Sequence, residues 1–454
     1  MPIKPRINFF VFCLCMLSMG SSAQQQKKLV EYGWDFPTVS DLKSNISQME
    51  NAPFEGVCFS IDKNIFSAFD NTPYSDSRFQ NLSGIPWKKF TDNFLIVRGA
   101  AQSGAHWLDD DSWNTISQNL QKISRAVSLT GAVGIGFDAE YYFKDSTLNP
   151  WVYKPEYYNN LSYSQVGEYV RKRGKQFMEA LQTNKPDIKI LCFWLLGWEF
   201  DQTKTKPIEK TNMALYPFFV DGMIEGKNNS SEIIDGNESS YWYQSFVPFV
   251  TVGGYIRGNE SNLIDKDLRN DYKKISVAES IYLDGLYASF PRFEKGFDKR
   301  TKEQWLKDNL YFSYKTTDEY VWFYDEKVNW WKNQVDAGVV DIINDVKKQI
   351  SSEAARTNSS INGQSRAFDF KKNDPGNYSG FSFNYDKNQN QINLNLTDNK
   401  IDNIQVYKNS MLIYNHDNPS SQVSINLNGS FNGNGNLIVI SRTNNRIYSV
   451  AFVN

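Results

Sequence analysis

The segment Gly134-Ile135-Gly136-Phe137-Asp138-Ala139-Glu140 sets two acids two residues apart at the end of an apolar alternation. Side chains of a strand alternate between its faces. Val133, Ile135 and Phe137 therefore share one face, and Gly134, Gly136, Asp138 and Glu140 the other. Two acids on one face can share a proton or a hydrogen bond, which raises the pKa of one of them. A general acid working near neutral pH needs that shift. The glycines beneath leave room for something to approach the backbone closely.

Two further segments carry the same kind of chemistry. In Ile233-Ile234-Asp235-Gly236-Asn237-Glu238 two acids stand three apart at a glycine-broken strand end, and Tyr241-Trp242-Tyr243 follow. In Tyr320-Val321-Trp322-Phe323-Tyr324-Asp325-Glu326 the alternation groups Tyr320, Trp322, Tyr324 and Glu326 on one face. Turned inward, that face makes Trp322 a floor with Glu326 beside it; a plain core role for Trp322 is equally open. Paired carboxylates among aromatic rings are the equipment of glycosidic bond hydrolysis, because the rings suit the apolar faces of sugars.

The residues that are scarce narrow the chemistry further. With two histidines, His106 and His416, no multi-histidine zinc site or His-activated nucleophile relay can be assembled except around His106. No Walker-type or dinucleotide loop occurs. The leading reading therefore needs no cofactor and assigns no metal ligand. A metal-dependent hydrolase with oxygen ligands such as Asp138, Asp235 and Glu238 is one alternative, and a non-catalytic glycan-binding protein is another.

From about residue 28, short β-rich runs alternate with helical-period runs, the pattern of βαβ units. Eight strands are expected, at 29–35, 54–62, 94–98, 132–140, 188–196, 232–238, 275–283 and 319–326. Helices are expected at Val39 to Met49, capped by Ser40 or Thr38, at Trp113 to Val127, ending on Gly131, and at Val166 to Leu181. Further helical stretches are expected near 211–227, 240–256 and 262–274, with a closing one from Trp330 to Ile350. Eight strands with crossovers over residues 28–351 predict an α/β fold, a (β/α)₈ TIM barrel. An open doubly wound sheet is the competing architecture, but the glycine-rich phosphate turn common in that class is missing.

Residues 352–364 are polar and linker-like. From 365 to 454, short alternating runs separated by Asn, Asp and Gly predict a C-terminal all-β sandwich module that could be separated from the barrel.

Active groups of such barrels gather at the C-terminal strand ends. Here those ends carry Asp35, Asp62, Arg98, Asp138 with Glu140, Trp198, Asp235 with Glu238, Glu279 with Asp284, and Asp325 with Glu326.

At the N-terminus, Lys4 and Arg6 precede the apolar run Ile7 to Met19 and the small residues Gly20 to Ala23. That order predicts an export signal over residues 1–23, cleaved after Ala23, and a periplasmic, cell-surface or secreted location. No other segment is long and apolar enough to suggest insertion of the mature chain in a membrane. The balance of 49 basic and 51 acidic side chains gives no reason to expect nucleic acid as a partner, so the expected partner is a carbohydrate and the expected state a monomer. Cys58 and Cys192 fall on strands that are not neighbours and are expected as buried, unpaired thiols.

Gly134 to Glu140 is similar to the strand signature of chitinase-like hydrolases within the broad (β/α)₈ glycoside hydrolase superfamily. The resemblance implies Glu140 as the catalytic acid and Asp138 as its partner, with Gly136 and Val133 standing where that family has further aspartates. Tyr32-Gly33-Trp34-Asp35, Asn51 to Gly56 and Trp322 to Glu326 together resemble a less characterised group of exported hydrolase-like barrels, which implies the fold and a carbohydrate-related role. The expected site has Glu140 as general acid/base, Asp138 as its pKa-setting neighbour, and Glu238 or Glu326 as the second carboxylate. Asp35, Arg98, Trp198, Asp235, Tyr241, Trp242, Trp322 and Tyr324 are expected to line the sugar subsites.

Overall fold

The computed structural model describes residues 27–243, 246–284 and 301–354, and 360–453 apart from gaps at 365, 370–373, 377–379, 409–410, 428–436 and 444–445. The expected export signal lies outside the described residues. The parallel strands are β1 (Lys28–Gly33), β2 (Gly56–Phe59), β3 (Phe66–Ser67), β4 (Phe94–Arg98), β5 (Gly134–Asp138), β6 (Lys189–Cys192), β7 (Glu232–Asp235), β8 (Ser276–Val277), β9 (Glu279–Tyr282) and β10 (Tyr320–Asp325).

β8 and β9 are one stretch broken at Ala278. Its first half pairs with β7, its second half with β10, and β10 pairs with β1. That stretch closes the ring, so with β3 lying off the path the 10-stranded sheet makes eight staves. The chain is a (β/α)₈ barrel, and the open doubly wound arrangement does not hold.

Strand alternation sorts the side chains into two layers. Val30, Phe94, Ile96, Leu191, Ile234, Tyr320 and Trp322 fill the barrel interior. Leu29, Leu95, Val97, Ile135, Phe137, Val321 and Phe323 pack outward against the helices.

The helices are α1 (Val39–Met49), α2 (Asp110–Thr130), α3 (Tyr163–Gln182), α4 (Gly197–Thr203), α5 (Tyr216–Gly226), α6 (Phe246–Gly254), α7 (Arg269–Tyr272), α8 (Lys302–Thr316) and α9 (Ala337–Ala354). Thr38 caps α1 in a reciprocal box with Asp41. Gly131 ends α2 in the left-handed region at φ 73°, as its type predicts. α8 was not expected from the sequence. It is buried at Trp305, Leu306, Leu310, Phe312 and Tyr314, which do not form one stripe.

The C-terminal strands are β11 (Ser360–Gln364), β12 (Arg366–Asp369), β13 (Asp374–Gly376), β14 (Phe381–Asp386), β15 (Gln391–Leu396), β16 (Asn403–Lys408), β17 (Met411–Asp417), β18 (Gln422–Asn426), β19 (Leu437–Thr443) and β20 (Arg446–Val453). They form a four-stranded and a six-stranded antiparallel sheet. Phe383, Ile392, Leu394 and Ile425 of one sheet meet Ile404, Val406, Val439 and Val453 of the other in a shared core, which makes a sandwich.

Two expectations are corrected here. Ser360–Gln364, read as linker, is β11 and pairs with β14. The module is also not a free appendage. Tyr407, Ile438, Ile440 and Val450, on the outer face of the six-stranded sheet, pack on Phe249, Val250 and Phe312 of α6 and α8.

The barrel depends on close approach of backbones beneath the mouth. A Cβ on Gly134 would lie 1.8 Å from the carbonyl oxygen of Lys189, which is backbone and cannot step aside. Gly134→Ala is therefore expected to cost about 3 kcal/mol or more, read as a lower urea midpoint.

Candidate functional site

β5 delivers the first acid. With Ile135 and Phe137 committed to the helix layer, Gly136 and Asp138 face the interior. The space over Gly136 is taken by the ring of Phe193, 3.1 Å from where a Cβ would sit, so a side chain of β6's extension, and not a ligand, uses that opening.

Asp138 is buried and both of its carboxylate oxygens are held. The Glu140 amide donates to Oδ1 at 3.0 Å and the Tyr142 hydroxyl to Oδ2 at 2.8 Å. Burial pushes its pKa up to about 6, against the pull of those two hydrogen bonds; Glu140 adds to the rise and Arg98 opposes it. Glu140 itself stands exposed at the rim.

β7 delivers the second acid through a turn. Ile234 faces the interior, so Asp235 faces the helices, where it accepts from the Asn237 amide at 2.9 Å. Asn237 then adopts the left-handed region at φ 46°, which asparagine tolerates better than most residues, and Glu238 comes round into the mouth. Burial, followed by the charges of Asp138 and Glu140, pushes Glu238 up to about 8, so it holds its proton at neutral pH.

β10 delivers the third. Trp322 lies fully buried with Nε1 donating to the Gly236 carbonyl at 2.8 Å. Tyr324 donates from its hydroxyl to Glu326 at 3.1 Å and accepts from Trp34 Nε1 at 3.0 Å.

These groups surround one cavity of about 280 Å³. Asp138, Glu140, Glu238 and Glu326 line it, together with Tyr241, Trp242, Trp322 and Tyr324. Trp322 is both floor and core. Its ring meets Phe193 at 4.9 Å and Tyr241 at 5.4 Å, and Tyr241 stacks on Tyr324 at 5.6 Å.

Four of the expected residues stand elsewhere. Asp35 and Asp235 are turned to the helix side of the wall. Trp198 sits on α4, 51% exposed and edge-on to Trp194. Arg98 lies outside the cavity lining, with its guanidinium over the Tyr142 ring at 5.4 Å. Tyr32, Tyr142, Phe193 and Tyr282 line the cavity without having been expected there as site residues. The alternation of β1 and β9, carried one residue further, would have found Tyr32 and Tyr282.

The oxygen set considered for a metal-dependent reaction is not brought together, since Asp235 faces away from Asp138 and Glu238. Among the described residues, the carboxylates that do converge at cation-binding spacing are Glu31, Asp35 and Asp325, behind the wall. Cys58 and Cys192 are buried free thiols. Among the described residues, no helix is long and apolar enough to cross a membrane.

No family model matches the chain, and no curated protein matches it. Among solved structures, an Anoxybacillus α-amylase aligns at 10% identity, covering 94% of this chain and 98% of its own, with a TM-score of 0.38. A family 39 glycoside hydrolase from Bacteroides cellulosilyticus aligns at 9% identity over 89% of this chain and 79% of its own, with a TM-score of 0.43. An endo-β-1,4-mannanase from Thermotoga petrophila aligns at 7% identity over 94% of this chain and 97% of its own, with a TM-score of 0.35.

Proposed function

We propose that the chain is an exported glycoside hydrolase working from the cavity at the C-terminal mouth of its barrel. The observation that carries this reading is a pair of carboxyls in opposed surroundings. Glu238 is largely buried and pushed up to about 8, while Glu140 faces solvent at the rim of the same aromatic-lined cavity. A buried carboxyl that keeps its proton can donate it, and a second carboxyl on the same cavity can serve as nucleophile or base.

In this reading Glu238 donates the proton to the departing glycosidic oxygen. Glu140 attacks the sugar or activates water. The Glu140 amide and the Tyr142 hydroxyl fix Asp138, which raises the pKa of Glu238 through its charge. The roles of Glu140 and Glu238 are thus exchanged relative to the sequence reading, because burial falls on Glu238. Trp322 and the Tyr241–Tyr324 stack supply the platform for a sugar ring.

Incubation with an array of poly- and oligosaccharides is expected to release shorter saccharides from one class. Saturable binding with every substrate left intact would instead identify a glycan-binding protein and remove the hydrolytic reading.

A further inference from the structure

Behind the cavity wall, alternation drives a set of acids into the layer between barrel and helices. On β1, Val30 faces the interior and Glu31 therefore faces outward; on β10, Trp322 faces inward and Asp325 outward. The parallel register sets Gly33 against Asp325. Oxygens of Glu31, Asp35 and Asp325 all lie within 4.8 Å of one another. Glu31 and Asp325 have no exposed surface.

The hydrogen bonding of the cluster is one-sided. Asp35 Oδ2 accepts from the Trp330 amide at 2.8 Å, and Asp325 Oδ2 from Trp330 Nε1 at 2.9 Å. Asp284, also fully buried, accepts through Oδ2 from the amides of Glu326 and Lys327 at 2.6 and 2.8 Å.

Each aspartate is thus anchored by one oxygen. Among the described residues, no group outside the cluster donates to the other oxygen of any of the three, nor to either oxygen of Glu31, although Glu31 and Asp35 lie close enough for a proton on one to bond the other. The free oxygens of Asp325 and Asp35 converge, since a Cβ on Gly33 would lie 2.6 Å from Asp325 Oδ1 and 2.9 Å from Asp35 Oδ1. The charges acting most on Glu31 are Asp35 and Asp325, both of its own sign. Buried carboxylates without a countercharge are costly, and either protons or a cation must offset them.

We propose that Glu31, Asp35 and Asp325, with Asp284 beside them, form a calcium site that clamps the first strand of the barrel to the last. The donors are all hard oxygens, with no imidazole or thiolate among them, which selects calcium or magnesium over zinc. They come from separate strands and loops, with nothing that imposes a regular geometry on them. That arrangement suits the six to eight ligands of calcium better than the strict octahedron of magnesium. The ion stands directly behind the wall of the cavity: Trp34, next to Asp35, bonds Tyr324, and the Glu326 amide is held by Asp284. It fixes the wall that presents Glu326, and the site stands whether or not the cavity hydrolyses glycans.

The test uses the full chain, stripped with a chelator and titrated with calcium chloride in a calorimeter, with Tm followed in parallel. One ion per chain is expected, with Tm rising by about 3–6 °C at millimolar calcium and less with magnesium. Glu31→Gln and Asp325→Asn are each expected to weaken calcium binding at least about tenfold. The titration of the unaltered chain decides the matter even if one variant fails to fold. Absence of both heat and a Tm change, with stability following pH alone, would show that protons neutralise the cluster and overturn the proposal. So would equal calcium affinity in the two variants.

Discussion

Glu238→Gln is expected to lower turnover by ~100-fold or more while leaving the protein folded and, at alkaline pH, more stable than before. Gln keeps the size of the side chain and removes the transferable proton, so the loss falls on the bond-breaking step. In the unaltered protein kcat/KM is expected to fall as pH rises through about 8, where Glu238 gives up its proton. Stability follows the same group. Its pKa is raised on folding, so below the unfolded carboxyl value of about 4.3 both states are protonated and nothing is lost.

As pH rises from there to about 8, the unfolded chain ionises more readily than the folded one, and the fold loses stability. Gln does not titrate and escapes that loss. The variant should therefore match the unaltered chain in urea unfolding at pH 4 and exceed it by a few kcal/mol at pH 8. An inactive but stabilised variant cannot be explained by misfolding. Glu140→Gln is expected to be as slow, without the gain in stability, because Glu140 is exposed. If Glu238→Gln retains near-normal turnover, the proton donor is another group.

The opposed behaviour of these two residues also marks where sequence reasoning stops. The barrel could be read because its strands obey a two-residue period and its longest helices a 3.6-residue one. Parity placed Asp138 and Glu326 correctly on the cavity side. The same parity, applied to β1 and β7, would have turned Asp35 and Asp235 outward, since Val30 and Ile234 face in. Both were assigned to the mouth because they end their strands, and position along a strand does not decide its face.

Glu238 was expected at the mouth as a strand-end acid, but it lies past the end of β7, in the turn that follows. Its direction depends on the left-handed Asn237, and its pKa on how deeply the turn sinks, neither of which a linear pattern carries. α8 escaped for a related reason. It is covered by barrel, α6, α9 and sandwich, so its apolar residues spread around the helix and leave no stripe to detect. The buried carboxylates behind β1 and β10 looked like ordinary strand-end acids until the register of the two strands brought them together.

Trp322→Ala is expected to cost about 3–5 kcal/mol and to impair the site as well, because the same ring is core and floor. The side chain has no exposed surface and packs on Phe193 and Tyr241, so its removal leaves a void that these rings, each held by further neighbours, cannot close. It also deprives the Gly236 carbonyl of its donor, at the bend that carries Glu238 into the mouth. Trp322→Phe restores most of the volume but not that hydrogen bond. It should recover most of the stability, yet leave the alkaline limit of the pH profile shifted, because the Glu238 turn is less firmly held.

Trp242→Ala provides the contrast. That ring lines the cavity but is 40% exposed, so its loss should raise KM with less than about 1 kcal/mol lost in urea unfolding. Equal destabilisation by the two alanine variants would mean that the barrel is not closed over Trp322, and that the cavity floor lies elsewhere.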